Sequence, residues 1–159
     1  MANVAKQIAG GVSAYTGCGF TAADFNSLAN GSFVIADTET ANGSNLDLLS
    51  EVSFIATVGG TTVAGGYFAL WVLPENRDAS TYGDAAADGS TLPGGNYLAA
   101  TCGIKSGITS GNTVVGTFPR FLLPRGDFKF GLSNHCGVAL NSTASVTIEH
   151  RTTNLNLNG

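Results

Sequence analysis

The sequence predicts an all-β protein, an antiparallel β-sandwich of jelly-roll type with one short N-terminal helix. From residue 31 onward, short apolar or alternating runs recur with clusters of Gly, Pro and Asn between them, which is typical of strands joined by turns. No stretch alternates strand and helix patterns, so a parallel α/β sheet is disfavoured. No repeat of fixed period occurs, which disfavours propellers and solenoids. A double-sheet sandwich therefore fits the pattern best.

The composition predicts one domain with a sparsely charged surface. Hydrophobic residues make up 43% of the 159 residues and include nine Phe, enough for a core without disulfides. Charged residues make up 11%, against about 25% in an ordinary soluble domain. Charge keeps a lone monomer soluble and discourages sheet edges from pairing. We therefore expect a protein whose surface is covered by neighbours in an assembly.

The charge and hydropathy patterns argue against nucleic acid and membranes as partners. The net charge is −4 and the seven Lys and Arg residues are scattered, whereas phosphate binding needs clustered basic residues. No apolar run reaches the ~20 residues of a membrane helix. Residues 7–20 lack the apolar core of a signal peptide, so we expect synthesis in a cytoplasm. The odd number and wide spacing of the cysteines predict three free thiols, Cys18, Cys102 and Cys136.

The first thirty residues are predicted to form an arm and a short helix. Residues 1–20 show little periodicity, which is typical of an irregular lead-in. The run from Thr21 to Asp24 resembles a capping box, and Phe25 and Leu28 lie one helical turn apart. We therefore predict a helix over about 21–29. The expected organisation is an arm with this helix over 1–30 and a β-sandwich domain over 31–159.

The first strands of the sandwich are predicted from apolar runs. Residues 32–36 are apolar and β-prone, and residues 48–58 alternate between two faces. Residues 67–73 are apolar on both faces, which indicates a central strand covered on both sides. Trp71 lies in this strand and is expected in the core rather than in a sugar-binding surface. On the strand over 48–58, the inward face is predicted to carry Val52, Phe54, Ala56 and Val58, with Ile55 outward.

The later strands follow the same logic. They are predicted over 97–102, 113–118, 127–132, 138–140 and 145–151, and the tail alternates once more. Pro119 and Pro124 frame residues 120–123, which suits an edge or a bend. The dipeptide Ser133-Asn134 is interpreted as a turn. The residues predicted to point inward are Phe128, Phe130 and Leu132 on one strand, and Val146, Ile148 and His150 on the last.

The connection over 74–96 is the candidate interaction region. A connection of this length without predicted structure is uncommon and often functional. Tyr82 and Tyr97 lie inside and just after it and are expected to be exposed. We predict that partner contacts involve Tyr82, Asp84, Tyr97 and Arg77. Its four acidic residues, Glu75, Asp78, Asp84 and Asp88, leave open whether the loop binds calcium or is acidic for solubility.

No catalytic or metal-binding constellation is predicted. His135 and Cys136 adjoin, but a zinc site needs about four ligands, so we interpret them as a turn residue beside a buried thiol. His150 could join a triad in space, yet no Gly-x-Ser-x-Gly elbow is present. We expect it to be half-buried with a satisfied hydrogen bond. The sequence predicts no enzyme and no cofactor; a small enzyme centred on His135 or His150 stays open as an alternative.

Several segments resemble small virion structural proteins of tailed bacteriophages. The likeness is carried by Tyr67-Phe-Ala-Leu-Trp-Val-Leu-Pro74, by Thr81-Tyr-Gly-Asp84 with Pro93 and Asn96-Tyr97, and by the runs 121–134 and Gly137-Val-Ala-Leu140, and it covers about residues 30–155. It implies a β-sandwich that builds the particle, expected to be a capsid decoration (cement) protein on the virion surface, assembled in the host cytoplasm. The implied partners are the major capsid protein and further copies of this chain, as a dimer or trimer. The alternatives are a tail or tail-fibre component and a module that binds host-surface carbohydrate.

Overall fold

The computed structural model describes residues 6–12, 16–43, 47–78, 80–84, 86–144 and 146–158, with side chains described within 16–153. This part of the chain consists of nine β-strands and two short 3₁₀ turns, Ala22–Phe25 and Gly95–Tyr97. The strands are β1 (Lys6–Val12), β2 (Thr16–Gly17), β3 (Phe33–Ile35), β4 (Leu49–Thr57), β5 (Tyr67–Pro74), β6 (Leu98–Gly103), β7 (Thr113–Leu122), β8 (Phe128–His135) and β9 (Thr147–Asn158).

The strands form two antiparallel sheets that pack face to face as a β-sandwich. The first sheet has the order β1-β9-β4-β7, with the short β2 also paired to β9. The second sheet has the order β3-β8-β5-β6. The prediction of an all-β sandwich is therefore confirmed. The 3₁₀ turns of the described residues are not long and apolar enough to cross a membrane.

The main core lies between the two sheets and is rich in Phe. The alternation predicted for β4 is confirmed, since Val52, Phe54 and Ala56 are at most 1% exposed. Phe54 stands at the centre, with its ring centroid 4.8 Å from that of Phe68 on the second sheet and 5.3 Å from that of Phe118 on β7. Each fully buried Phe contributes about 1.5–3 kcal/mol relative to an exposed one. This core therefore fixes how the sheets face each other.

A second, smaller core covers the outer face of the second sheet. It contains Phe33 from β3 and Ala69, Trp71 and Leu73 from β5, and the connection after β5 packs over it. β5 is thus covered on both faces, as its sequence predicts. Trp71 is 5% exposed and its Nε1–H donates to the Ser133 hydroxyl oxygen at 3.1 Å, which confirms it as a core residue.

Three of the four sheet edges have neighbours within the described residues. The edge of β3 is paired to Gly89, and the Asp88 carboxylate accepts the Ile35 N–H at 2.7 Å. The edges of β6 and β7 lie against each other. A Cβ on Gly116 of β7 would stand 2.6 Å from the Cys102 sulfur of β6, so the close approach of these strands requires glycine there.

Two predictions for the N-terminal region need correction. The helix predicted over 21–29 is a single 3₁₀ turn, Ala22–Phe25, because Ser27 adopts a left-handed φ of 56° and its N–H bonds to the Asn141 carbonyl. Residues 1–20 also contain more than an irregular lead-in. β1 and β2 pair with β9 inside the first sheet, so the boundary expected at residue 30 does not coincide with the edge of the sheet.

Two further predictions are wrong around residue 135. The dipeptide Ser133-Asn134 is not a turn but the buried end of β8. Asn134 tolerates burial because its Nδ2 donates to the Leu28 and Val138 carbonyls and its Oδ1 accepts the Cys136 N–H. Residues 138–140 form no strand; they contribute one isolated bridge, from Leu140 to Val58. The bend at the two prolines is confirmed as a bulge between Phe118 and Phe121 on the edge strand β7.

Candidate functional site

The two tyrosines predicted as contact residues are half-buried rather than exposed. Tyr82 and Tyr97 both pack on the outer core of the second sheet. The Tyr82 hydroxyl donates to Glu39 Oε2 at 2.6 Å, and Lys129 Nζ lies 5.1 Å from the ring centroid. The bond to Glu39 is the main reason that the pKa of Tyr82 is raised to about 12. Both rings therefore help to hold the connection onto the sheet, and a partner could reach only their outer edges.

The acidic residues of the same connection bind its own backbone. Asp84 is exposed and accepts the Gly94 N–H at 2.8 Å, and Asp88 accepts the Ile35 N–H. Asp78 accepts the N–H groups of Ser80 and Thr81, and these bonds lower the pKa of its carboxyl. Among the described residues, no three His, Cys, Asp or Glu side chains are grouped as a metal ion requires.

Arg77 completes the predicted contact set and lies exposed in the turn that follows β5. The four predicted contact residues, Tyr82, Asp84, Tyr97 and Arg77, all belong to the connection that covers the second sheet. The structure thus brings them to one side of the sandwich, where two pack down on the sheet and two remain exposed.

His135 forms a hydrogen-bonded chain with Ser133 and Trp71 on the outer face of the second sheet. Its Nε2 lies 3.0 Å from the Ser133 hydroxyl oxygen, which also accepts the Trp71 N–H. The Tyr67 ring stacks on the imidazole with centroids 4.6 Å apart. Desolvation lowers the pKa of His135. Because Ser133 is fully buried, its oxygen is not reachable by a substrate, and this serine–histidine pair does not form a nucleophilic site.

The cysteines are free thiols, as predicted. Cys18 and Cys136 are buried and Cys102 is half-buried. Desolvation raises the pKa of all three thiols. Since the thiolate is the nucleophile and the metal ligand, these groups are held in their unreactive form.

His150 lies on the inner face of the first sheet and is more buried than predicted. It is 7% exposed, and its ring centroid is 5.2 Å from that of Phe130 across the core. Nε2 hydrogen-bonds with the Thr16 hydroxyl at 3.1 Å, whereas Nδ1 is buried without a partner. The hydrogen bond predicted for His150 is therefore present at Nε2, and Nδ1 has none. Burial lowers its pKa, partly opposed by Asp47.

A pocket of about 320 Å³ opens beside His150 at the end of the sandwich. Its lining includes the polar residues Asp47 and Thr16 and the apolar residues Phe128 and Leu123. Catalysis by a triad needs a carboxylate hydrogen-bonded to the histidine. Within the residues whose side chains are described, neither histidine makes such a bond. Among these residues the pocket therefore does not contain the carboxylate–histidine bond of a triad.

The outer face of the first sheet is uncovered, unlike that of the second. Ile55 of β4 and Val115 of β7 are directly paired on this face and are 41% and 68% exposed. Hydroxyl residues of the three strands surround them. We call this surface the bare face; its residues are Ser53, Ile55, Thr57, Thr113, Val115, Thr117 and Thr147. Glu149 of β9 pairs with Ser53 and is an ionisable residue on the same face.

The bare face ends at a small ionic cluster. Glu51 accepts a hydrogen bond from Arg151 Nη2 at 2.8 Å and lies 3.6 Å from Arg120 Nε. Beyond this cluster, Leu122 is 69% exposed. The outward direction predicted for Ile55 is confirmed, and the same alternation could have revealed that of Val115. It could not have revealed that one outer face is covered and the other is not, because that depends on where the connection after β5 folds.

Comparison with known proteins gives similarities of fold. No protein-family model matches the sequence, and no characterised protein matches it by sequence. Among solved structures, a carbohydrate-binding module, CBM36 in complex with calcium and xylotriose, is similar at TM-score 0.32 and 11% identity over 76% of this chain and 77% of that one. The structure of infectious bursal disease virus, Gx strain, is similar at TM-score 0.33 and 14% identity. That match covers 98% of this chain and 32% of the viral chain, so the chain spans about a third of that protein's length.

Proposed function

We propose that the protein is a structural component of a bacteriophage virion, a decoration (cement) protein that binds the outside of the capsid and holds neighbouring capsomers together. The observation that carries this proposal is the bare face. Contiguous exposed apolar residues on a soluble domain usually mark an interaction surface. Here Ile55 and Val115 are surrounded mainly by hydroxyl residues, with Glu149 paired to Ser53 on the same face. The resemblance to small phage virion proteins supplies the kind of partner.

The composition supports the same function. A protein that clamps a shell against the pressure of packaged DNA benefits from a rigid body and from contacts that need little desolvation of charge. Threonine and serine side chains lose little conformational freedom when they are ordered, whereas Lys and Glu lose more. A face built mainly of Thr, Ser, Ile and Val is therefore suited to a close, permanent contact rather than to a transient one steered by charge.

The jelly-roll topology is part of the proposal. The strands pair in nested order: β9 with β1 and β2, β8 with β3, β7 with β4 and β6 with β5. Successive pairs alternate between the two sheets. A long antiparallel hairpin that is rolled up in this manner gives the double-sheet jelly roll, which virus shells use widely. The topology makes a shell role compatible with the fold but does not by itself assign it.

The decisive experiment replaces an exposed residue of the bare face. Val115→Lys should leave folding unchanged, because the side chain is 68% exposed, and should abolish binding to capsids that lack the protein. Val63→Lys is the matched control, since Val63 is 46% exposed and lies in a loop outside the bare face. Complete particles and particles without the protein are then heated. Loss of DNA at a lower temperature in the second set supports a cement role, and equal heat stability contradicts it.

A carbohydrate-binding role in the tail or at the host surface is the second candidate. The observation that favours it is Tyr67, 37% exposed and stacked on His135, because such a ring can carry a sugar. Tyr82 is less suited, since its hydroxyl is bonded to Glu39 and Lys129 covers its ring. Glycan-array binding that is lost in Tyr67→Ala would favour this role, as would a copy number typical of tails rather than shells.

A further inference from the structure

One sheet edge differs from the other three. Within the described residues, the β3 edge bonds to Gly89 and the β6 and β7 edges lie against each other, whereas β1 pairs with β9 on one side and has no described strand on the other. Natural sheets protect such an edge with charge, proline or a very short strand. The β1 sequence has one charged residue, Lys6, and no proline over its seven residues.

The open edge belongs to a ribbon that extends past the sandwich. β4 pairs with β9 only as far as Thr153, while β1 pairs with β9 from Thr153 to Asn158. The last five residues of β9 therefore have β1 as their single described strand partner and extend about 17 Å beyond the end of β4. A two-stranded ribbon is marginally stable in water, and three or more strands are normally needed. A further strand would stabilise it.

We propose that β1 pairs with β1 of a second copy, antiparallel and about a two-fold axis, so that the first sheets of two molecules join into one. Self-pairing of an edge strand is self-complementary, and two-fold contacts are the commonest between identical chains. The register shift after Ala9 limits the regular part of β1 to Lys6–Ala9. A two-fold axis at Ile8 uses residues of this regular part, with Gln7 opposite Ala9 of the second copy, and keeps the two lysines about four residues apart along the strands, beyond the ~10 Å range of unscreened repulsion.

The symmetry has a consequence for the bare face. In an antiparallel sheet, the two-fold axis that relates equal strands is normal to the sheet, so both molecules present the same sheet face to the same side. Two bare faces would then form one wider surface. This step rests on the proposed function: a dimer with both faces on one side binds a shell twice, and the second contact is gained without a second loss of translational freedom.

The pairing is tested on the purified full-length protein, without capsids. Sedimentation velocity over a range of concentrations should show a monomer–dimer equilibrium. Single cysteines at positions 7, 8 and 9 should give an oxidised dimer mainly for Ile8→Cys, because equal residues meet only at the axis. The unmodified protein, whose own thiols are buried or half-buried, gives the background.

Proline substitutions distinguish the edge of β1 that pairs with β9 from the edge that is proposed to pair with a second copy. Successive N–H groups of an edge strand point alternately to its neighbour and outward. One of Gln7→Pro and Ile8→Pro should therefore keep the melting temperature of the monomer and weaken the dimer at least about tenfold, the loss expected for one or two net hydrogen bonds. The other substitution removes an N–H that bonds to β9 and should therefore lower the melting temperature of the monomer.

Three results would overturn the inference. The first is a monomer at every concentration with no cross-link above background. The second is a dimer that both prolines leave intact but Val115→Lys disrupts, which would put the copies together through the bare face. The third is protection of β1 amides from hydrogen exchange only on capsids, which would identify a capsid strand as the occupant. Capsid binding by Val115→Lys is measured separately, so failure of β1 pairing and failure of the proposed function are told apart.

Discussion

His150 Nε2 hydrogen-bonds with the Thr16 hydroxyl at 3.1 Å, and this bond ties β2 to β9 at the point where the imidazole enters the core. The other ring nitrogen, Nδ1, is buried without a partner. A neutral ring tolerates this arrangement, since an unpaired acceptor nitrogen carries no charge. A protonated ring would put a cation 5.2 Å, centroid to centroid, from Phe130 in the core. The folded structure therefore favours the neutral form of the His150 imidazole.

The first prediction is a loss of stability in mild acid. Burial lowers the pKa of His150 in the folded protein below the unfolded value of about 6.5. Below that value the unfolded chain binds more protons than the folded one, so the free energy of unfolding decreases as the pH falls. Above it the contribution of His150 is complete. Urea denaturation midpoints from pH 7.5 down to pH 5 should fall in the natural protein and fall less in His150→Gln.

The control for this prediction is His135→Gln. The pKa of His135 is also lowered by desolvation, but the residue is less buried and should account for a smaller part of the acid loss. Asp47 is the charged group that opposes the shift of His150. Asp47→Asn should therefore steepen the acid loss. A pH dependence that is the same in the natural protein and in His150→Gln would contradict this account.

The second prediction concerns the buried serine between Trp71 and His135. Ser133→Ala leaves the Trp71 N–H without an acceptor in a site that is fully buried, which should cost about 1–3 kcal/mol of unfolding free energy. Trp71 is the single tryptophan of the chain, so its fluorescence follows unfolding directly. Ser53→Ala, on the bare face, is the control and should change the free energy by less than about 0.5 kcal/mol. Equal effects of the two substitutions would refute the role given to Ser133.

Apolar periodicity predicts the centre of this fold well. Val52, Phe54 and Ala56 alternate with polar residues, and β4 buries that face because a strand points successive side chains to opposite sides. The run from Tyr67 to Leu73 has no polar face to offer, so it becomes an inner strand. In both segments the local pattern and the tertiary packing require the same arrangement, and the sequence is therefore informative.

Other elements depend on partners that are distant in the chain. β1 contains two adjacent glycines and a register shift, and it is a strand only because β9, some 150 residues later, pairs with it. Asn134 looks like a turn residue, yet it is buried because three backbone groups satisfy its amide. The bare face is a candidate site for a similar reason. It exists because bonds such as that from the Gly94 N–H to Asp84 hold the connection on the second sheet. No local sequence pattern indicates which sheet the connection covers.

The third prediction tests the close contact between β6 and β7. A Cβ at Gly116 would meet the Phe54 ring at 2.5 Å and the Cys102 sulfur at 2.6 Å. Gly116→Ala should therefore overpack the corner and cost about 1–3 kcal/mol. Gly103→Ala is a matched control on β6, because nothing lies within 4 Å of the Cβ it would add. Urea denaturation measures both, and a neutral Gly116→Ala would mean that β6 and β7 are not closely packed at Gly116.

The fourth prediction concerns the phenol that anchors the connection over the second sheet. The Tyr82 hydroxyl donates to Glu39 Oε2 at 2.6 Å, which raises the pKa of Tyr82 to about 12, mainly because ionisation would break this bond. In an ultraviolet titration of the folded protein, one tyrosine should ionise near pH 12, and this late step should disappear in Tyr82→Phe. Glu39→Gln should move this late step towards the ordinary tyrosine pKa of about 10.

The matched control is Tyr97→Phe, which should leave the late step in place because Tyr97 packs on the same core without the bond to Glu39. A late step that persists in Tyr82→Phe would assign it to another tyrosine and remove Tyr82 as the anchor of the connection.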